Sequence, residues 1–419
     1  MRLSLIRLIA SALSVLCVAM VSPGFAQQPS DIQAIRAELD RLRQEYGDRL
    51  AALEAKLAAL QGAAQPAGAP APQEVAVPAG AAGAGGPEGA LPVYGNVTAL
   101  SKIFNPDIAV IGDFLGAAGK NAVEPAPALE MHEAEASLQA IVDPYARADF
   151  FFALGPEGIE VEEGFITFPT LPGGLVMKAG KLRSAFGKVN TMHNHLLPWT
   201  DRPLMTRNLV GGEEGISDAG FSVARLLTNP WLFLEATGEV YRGQSEVFHG
   251  NERSDLTYVG RLRGYQDVTE SANVDLGASF AYGHNDSGPK ETTKLFGVDA
   301  TFRYRPLRRA IYRRLLARTE LVWSRRSESG GLNAFGGYAA ADYQFSRRWF
   351  AGMRYDHAGR AMDPDSKDKG TSWLLTFWPS EFSQIRGQYR RTNYAEGRTA
   401  NELLFQLLFS IGAHGAHVF

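Results

Sequence analysis

The chain has 419 residues, of which 45% are apolar and 21% are charged, and its formal net charge is −3. No stretch after the first 26 residues approaches 18 consecutive apolar residues, which excludes a helical inner-membrane protein. The single cysteine, Cys17, lies within those residues, so a chain processed there has neither disulfides nor thiolate metal sites. We expect no cofactor and no nucleic-acid partner.

Residues 1–26 have the pattern of a secretory signal peptide. Arg2 and Arg7 form its positively charged start, and an apolar stretch follows at 8–21. Small residues at the cleavage positions predict that Gln27 begins the mature chain. Processing is favoured over a permanent membrane anchor because the apolar stretch is short.

A heptad pattern over residues 31–61 predicts a helix, with Ser30 as its N-cap. A lone helix of this kind is marginal in water, so we expect residues 27–61 to form a periplasmic α-helical coiled coil. A single amphipathic helix lying on another surface is the alternative. Residues 62–95 are rich in Ala, Pro and Gly, which predicts a disordered linker. The apolar seam consists of Ile32, Ile35, Leu39, Leu42, Tyr46, Leu50, Leu53, Leu57 and Leu60.

From residue 96 to residue 419 the apolar period changes to two, which predicts β-strands. Phe296, Val298 and Ala300, for example, alternate with polar or small residues. In a secreted soluble β protein the apolar face would form the core, whereas in a membrane barrel it would contact lipid. Periodicity alone does not separate these two folds.

The connections between the strands favour the barrel. Short turns alternate with longer loops along the chain, as in outer-membrane barrels. The chain also ends in Phe419 after an apolar strand, which is typical of chains delivered to the outer membrane. We therefore predict an all-β antiparallel transmembrane barrel of about sixteen strands, with fourteen or eighteen as alternatives. The predicted strands begin near residues 106, 129, 144, 157, 174, 216, 231, 255, 271, 293, 313, 334, 348, 371, 382 and 401.

A barrel of this size encloses an aqueous channel rather than a packed core. Its longest loop, residues 184–215, carries Trp199 and several leucines, which would be unstable in open water. We expect this loop to fold inward and narrow the channel, although an extracellular lid is the alternative. The predicted constriction and pore-lining residues are Lys188, His193, His195, Asp201, Arg202, Arg207, Glu213, Glu214, Arg261, Arg303, Arg318, Arg354, Arg386 and Arg390.

Charge is unevenly distributed between the two halves of the predicted barrel. Residues 96–243 carry a net charge of −7 and residues 244–419 one of +5. Opposed acidic and basic walls would create a transverse field across a narrow lumen. Local pairing, such as Arg147 with Asp149 or Arg318 with Glu320, is an equally weighted alternative. The acids predicted to face inward are Asp113, Glu133, Glu135, Asp149, Asp218, Glu235 and Glu239.

This organisation resembles Gram-negative outer-membrane porins, and most closely the phosphate-selective porin O/P group. Segments 104–108 (FNPDI) and 180–187 (GKLRSAFG) are similar to strand openings and loop approaches in such chains. The resemblance implies a trimeric sixteen-stranded barrel that passes small hydrophilic or ionic solutes without enzymatic activity. It also implies an outer-membrane location, contact with lipid, and self-association through residues 31–61 and the barrel. Members of that group pass anions along arginines and lysines, and some carry an N-terminal coiled coil.

Three other functions are open at this point. His193 and His195 are two residues apart on a segment predicted to be extended, so their side chains would point the same way and could bind zinc. His414 and His417 follow the last strand. A structural tether to the cell wall through the coiled coil could coexist with a pore. No recognisable catalytic constellation supports an outer-membrane enzyme.

Overall fold

The structure is a computed structural model, and it describes Gln44 and residues 106–155 and 158–412. Sixteen antiparallel strands form a closed barrel in which each strand pairs with its neighbours in sequence and β1 closes on β16. The strands are β1 (Asp107–Lys120), β2 (Leu129–Asp143), β3 (Ala146–Gly155), β4 (Gly158–Leu171), β5 (Leu175–Arg183), β6 (Ser217–Leu226), β7 (Phe233–Tyr241), β8 (Thr257–Thr269), β9 (Ala272–His284), β10 (Thr292–Tyr304), β11 (Arg314–Arg326), β12 (Leu332–Ser346), β13 (Trp349–Gly359), β14 (Lys367–Ser380), β15 (Ser383–Asn393) and β16 (Thr399–Gly412).

The predicted all-β barrel and its strand number are confirmed. The largest error in a strand start is at β14, which begins at Lys367 rather than near residue 371. Its first residues are charged, and they were therefore assigned to the preceding loop. The predicted signal peptide, coiled coil and linker, together with His414, His417 and Phe419, lie outside the described residues.

Side chains alternate across the barrel wall with apolar groups outside and polar groups inside. On β10 the outward-facing Phe296 and Val298 are 39% and 41% exposed, whereas the inward-facing Asp299 of the same strand is 5% exposed. A soluble sandwich would reverse this arrangement. An apolar outer belt of this extent is suited to hydrocarbon rather than to water. Among the described residues, no helix is both long and apolar enough to cross a membrane.

Tight turns connect the strands at one rim of the barrel and longer loops connect most of them at the other. At the first rim, for example, residues 144–145 join β2 to β3 and residues 381–382 join β14 to β15. At the opposite rim, residues 184–216 join β5 to β6. This loop (hereafter the long loop) contains a single helical turn at Asn194–Leu196 and a short helix, α1 (Leu204–Leu209).

A buried apolar cluster lies inside the barrel, where residues of the long loop pack against residues of the wall. Phe186, Trp199 and Met205 are each no more than 1% exposed and pack with inward-facing residues such as Tyr338 and Leu295. At this level, packed side chains of the loop and of the wall occupy part of the interior. The physical reason is the apolar content of the loop, which buries its own side chains against the wall.

Candidate functional site

The long loop lies in the interior of the barrel, because it bonds to inner faces all around the wall. The amide of Ala185 donates to Glu239 Oε2 on β7 at 2.8 Å. The amide of Gly187 donates to Ser279 Oγ on β9 at 3.0 Å. Further along the loop, Thr200 donates from its amide to Gln388 Oε1 on β15 at 3.0 Å. A segment that contacts well-separated strands of a closed barrel must cross the space between them.

The first part of the loop is anchored to β9–β11. Glu320 on β11 is 1% exposed, and its carboxylate accepts the amides of Lys188 and Val189 at 3.3 and 3.2 Å. Gly187 has a φ of +61°, and a Cβ there would overlap the Glu320 carboxylate. This position therefore requires glycine. Lys188 continues inward and donates from Nζ to Asp275 Oδ2 at 2.8 Å.

The middle of the loop is held by an ion-pair network that we call the Asp201 clamp (Asp201, Arg354, Arg390 and Gln388). Asp201 Oδ2 lies 2.8 Å from Arg354 Nη2 and 3.0 Å from Arg390 Nη1. Gln388 donates from Nε2 to Asp201 Oδ1 at 2.5 Å. The clamp is buried, with Arg354 1% and Gln388 0% exposed. It fixes the loop to β13 and β15.

Charge pairing controls the ionisation of the clamp. Burial by itself raises the pKa of Asp201, but the guanidinium groups of Arg354 and Arg390 outweigh it and hold that pKa below its usual value. Asp201 is therefore ionised at neutral pH. Trp199 packs beside the clamp, with the Arg354 guanidinium 4.8 Å from its ring centroid.

The long loop is also bonded to itself. Arg202, which is 3% exposed, donates to the carbonyl oxygens of Val189 at 3.2 Å and Met192 at 2.7 Å. Its Nε donates to Asn194 Oδ1 at 3.1 Å. Arg202 thus joins the two halves of the loop. It was predicted as a constriction residue, and it is placed inside the loop rather than at an open surface.

On β2 and β4, a cluster of carboxylates surrounds the two loop histidines. His193 Nδ1 lies 2.5 Å from Glu135 Oε2 and 3.0 Å from Glu162 Oε2, and His193 Nε2 lies 2.8 Å from Glu163 Oε2. His195 Nδ1 lies 3.5 Å from the same oxygen of Glu135. The two rings are 5.8 Å apart. The expectation of an extended segment is wrong here, because the helical turn begins at Asn194, yet the histidines still adjoin.

The charge of this cluster acts strongly on His193. Burial lowers the pKa of His193, but its contacts with Glu135, Glu162 and Glu163 outweigh that effect and raise the pKa well above its usual value. The surroundings of the histidine therefore favour a positive charge.

Two β-bulges explain why so many titratable groups share this face. On β4, Phe151 and Phe152 of β3 pair with Glu163 and Val161, so Glu162 is an extra residue. Both Glu162 and Glu163 therefore face inward, whereas simple alternation would send one of them outward. The sequence carries no signal for this bulge apart from the two adjacent acids, and neither glutamate was predicted as a site residue.

The second bulge is on β2. Asp113 and Phe114 of β1 pair with Glu133 and Met131, so His132 is the extra residue there. His132 turns inward as well, and its Nε2 lies 3.8 Å from Glu213 Oε2 of the long loop. Glu213 and the neighbouring Glu214 also present their carbonyl oxygens to Arg183 Nη1, each at 3.0 Å.

The remaining predicted pore residues occupy different surroundings. Arg261 donates to the carbonyl oxygen of Gly187 at 2.6 Å, and Arg386 donates to that of Leu197 at 3.0 Å, so both hold the loop. Arg207, on α1, pairs with Glu124 of the β1–β2 loop. The predicted pair of Arg318 with Glu320 is absent among the described contacts, since Glu320 accepts loop amides instead.

Arg303 and Arg318 lie towards the rim of tight turns, beyond the loop's anchor at Glu320. The Arg303 side chain is 34% exposed and lies 3.6 Å from Asp275. Arg318 Nη1 has no hydrogen-bond partner among the described residues. These two guanidinium groups are therefore less engaged by carboxylates than those of the Asp201 clamp.

Two cavities flank the long loop. One of about 490 Å³ is lined by residues of α1 and by Glu246 and Arg326. The other, of about 270 Å³, is lined by Asp113, His132 and Arg390. Polar and charged groups line both, so the space beside the loop is suited to water and hydrophilic solutes.

Known proteins resemble this chain in sequence and in fold. No family model matches the chain. A protein of Aquifex aeolicus (strain VF5), described as uncharacterized, is 31% identical over 393 residues, covering 76% of this chain and 81% of that protein. The chain belongs to the family of that Aquifex protein.

Solved outer-membrane proteins share the fold. The anion-selective porin from Comamonas acidovorans matches with a TM-score of 0.53 and 11% identity, covering 73% of this chain and 99% of that one. The loop L8 deletion mutant of OmpT from Vibrio cholerae matches at 0.52 and 10%, covering 73% and 99%. Pseudomonas putida OprB matches at 0.52 and 10%, covering 73% and 94%. At these identities the likeness concerns the barrel fold.

Proposed function

We propose that this protein is an outer-membrane porin that lets small hydrophilic or ionic solutes diffuse passively through the barrel. The observation that carries the proposal is the position of the long loop, which bonds to opposite inner walls and leaves polar cavities beside it. The apolar outer belt and the fold shared with porins support the same function. The long loop would set the narrowest cross-section.

The arrangement of charge supports a preference for anions. Several inward-facing arginines of the second half pair with carboxylates, as Arg354 does with Asp201 and Asp356. Arg303, whose side chain is 34% exposed, and Arg318, whose Nη1 has no hydrogen-bond partner among the described residues, are less neutralised than the arginines of the clamp. A guanidinium in a narrow, low-dielectric passage attracts anions over cations. The resemblance to phosphate-selective porins and the description of one structural neighbour as anion-selective agree with this preference.

The reversal potential in a salt gradient across a planar bilayer tests both parts of the proposal. We expect stable ion channels whose reversal potential shows anion preference, and a reduced preference in the double variant Arg303→Gln/Arg318→Gln. Lys290→Gln, at an exposed residue of the β9–β10 loop, is the matched control. Absence of channels from correctly folded protein contradicts the porin function. Equal permeability in the wild type contradicts only the anion preference.

We further propose that the channel is a homotrimer, assembled through residues 31–61 and the barrel, with the coiled coil in the periplasm and reaching toward the cell wall. This proposal rests on the heptad pattern and on the resemblance to porins. Deletion of residues 31–61 should lower trimer stability or wall attachment, measured by native mass in detergent and by sedimentation with peptidoglycan. Conductance of a single intact barrel should survive the deletion, and its loss would contradict the assignment of residues 31–61 to assembly alone.

A further inference from the structure

The glutamates and histidines of the acidic wall form a compact group that the diffusion channel does not require. We call Glu133, Glu135, Glu162, His193 and His195 the Glu–His cluster. Their potential ligand atoms form two overlapping triads, Glu133–Glu135–His195 and Glu135–Glu162–His193. Within each triad these atoms all lie within 4.8 Å of one another. Glu135 belongs to both triads and so stands at the centre.

Every member of the cluster is buried. The exposed fractions are 3% for Glu135, 4% for Glu162 and 5% for His193. Burying carboxylates away from water is costly unless a positive charge compensates them. Among the described ion pairs, one guanidinium contacts these carboxylates directly: Arg183 bonds to Glu162 through its Nε at 3.0 Å. With Glu163 included, the four carboxylates have direct ion-pair contacts with one guanidinium and two imidazoles, while His132 and Arg202 act on them from farther away.

An independent observation points to a missing electrostatic partner. Glu133 is 7% exposed, and its Oε1 has no hydrogen-bond partner among the described residues, while its Oε2 accepts from Asn194 Nδ2 at 3.3 Å. A buried carboxylate oxygen without a donor costs free energy in proteins, and such groups are rare without a reason. Glu133 belongs to the same triad as His195 and Glu135.

The backbone is also shaped to build the cluster. Bulges are enriched beside functional sites, where they re-aim a side chain, and two occur here on neighbouring parts of the wall. The bulge at Glu162 adds a carboxylate to the inner face of β4, and the bulge at His132 precedes Glu133 on β2. The long loop then brings both histidines onto these carboxylates.

We propose that the Glu–His cluster is a binding site for a divalent metal ion of the zinc class, which ties the long loop to β2 and β4. Imidazole nitrogens with carboxylate oxygens are ligands that Zn²⁺ and its first-row neighbours accept. Glu135, within reach of both histidines, is the central ligand. The ion offsets the excess negative charge and gives Glu133 Oε1 a partner. This inference stands on the cluster alone and does not depend on solute passage.

Metal binding to the full, tag-free chain in detergent tests the proposal. We expect isothermal titration with Zn²⁺ to show one ion per chain, together with a rise in thermal stability. Glu135→Gln keeps the shape of the side chain but removes a ligand charge, and it should weaken binding at least ~10-fold. His193→Gln should have a similar effect. Addition of Co²⁺ in place of Zn²⁺ should give a visible absorption band that both variants lose.

Matched controls separate this site from other zinc-binding groups. Glu160→Gln alters an exposed glutamate on β4, two residues before Glu162, that pairs with Lys181 at 2.8 Å. His249→Asn alters an exposed histidine of the β7–β8 loop. His414→Asn/His417→Asn alters the C-terminal histidines. All three should bind Zn²⁺ as the wild type does.

Two results would overturn the proposal: no stoichiometric binding by folded wild type, or wild-type affinity in Glu135→Gln and His193→Gln. Heat-dependent migration in gels identifies folded barrels in each preparation. If Glu135→Gln fails to fold, Glu133→Gln replaces it, because Glu133 already lacks one partner and its loss disturbs the apo structure less. Unchanged Zn²⁺ affinity in a folded Glu133→Gln, with His193→Gln also unchanged, refutes the site equally.

Discussion

Removing the charge of Asp201 should release the long loop from the basic wall. In Asp201→Asn the side-chain shape and the acceptor for Gln388 are retained, while the attraction to Arg354 and Arg390 is lost. Breaking a buried ion pair by removing one partner costs about 3–5 kcal/mol. We take the lower end, about 3 kcal/mol, because each arginine keeps another carboxylate: Asp356 for Arg354 and Glu402 for Arg390, both at 2.7 Å.

This loss is measurable as loop opening. A free energy of about 3 kcal/mol corresponds to roughly a hundredfold larger open fraction. The amide of Thr200 bonds to Gln388 in the closed loop, so its hydrogen exchange reports the opening directly. We expect mass spectrometry of a peptide containing Thr200 to show exchange faster by about that factor. In a bilayer, the same variant should show larger current fluctuations.

Asp365→Asn is the control for this experiment, since Asp365 is an exposed acid of the β13–β14 loop. Its exchange at Thr200 should match the wild type. If Asp201→Asn exchanges within threefold of the wild type, on the order of 0.6 kcal/mol, the clamp does not hold the loop and our account of its energetics is wrong.

Two further predictions concern the same loop. The pKa of Asp201 in the folded protein is held below its usual value of about 3.9, so the clamp contributes its full stabilisation above that pH and loses it as the pH falls through the lower native pKa. The difference in melting temperature between wild type and Asp201→Asn should therefore be constant from about pH 7 to 5 and shrink below about pH 4. A gap that shrank between pH 7 and 5 would contradict the lowered pKa. Gly187→Ala should destabilise the protein by about 1–2 kcal/mol for its positive φ and about 1–3 kcal/mol more for displacing the Glu320 carboxylate from two amides. Gly212→Ala, with a φ of +65° and open space around it, carries only the first cost, so equal losses in denaturant titrations would refute the role of Glu320.

The strands were predictable from sequence because the two faces of the wall have opposite chemistry. Outward Phe296 and inward Asp299 obey a period of two, and the connection lengths then identify the two rims. The β-bulges depart from this alternation. A single inserted residue such as Glu162 shifts the facing of everything before it, and no local preference distinguishes it from its neighbour Glu163.

The inward position of the long loop could be predicted from its apolar content, but the residues to which it bonds could not. Asp201 meets Arg354 and Arg390 across a separation of more than 150 residues, and only the closed barrel brings them together. The arginines were predicted as inward-facing pore residues without named loop partners, since a periodicity argument assigns a face and not a contact. Their burial against the loop depends on tertiary contacts that the local sequence does not specify.

The two anchors of the loop should act as one cooperative unit. The Glu–His cluster fixes His193 to β2 and β4, while the Asp201 clamp fixes the loop to β13 and β15. Arg202 joins these regions, because it bonds to Val189, Met192 and Asn194 from a position next to Asp201. Opening at either anchor would break the bonds of Arg202.

His193→Gln, studied with a chelator present so that no metal contributes, should therefore accelerate exchange at Thr200 as well as around His193. The double variant with Asp201→Asn should show free-energy losses that add to within about 0.5 kcal/mol, as expected for two well-separated supports of a single opening step. If the acceleration in His193→Gln stays confined to the residues around the histidine, the loop opens in independent halves. In that case Arg202 does not couple the acidic wall to the basic wall, and the long loop consists of two segments that open independently rather than one cooperative unit.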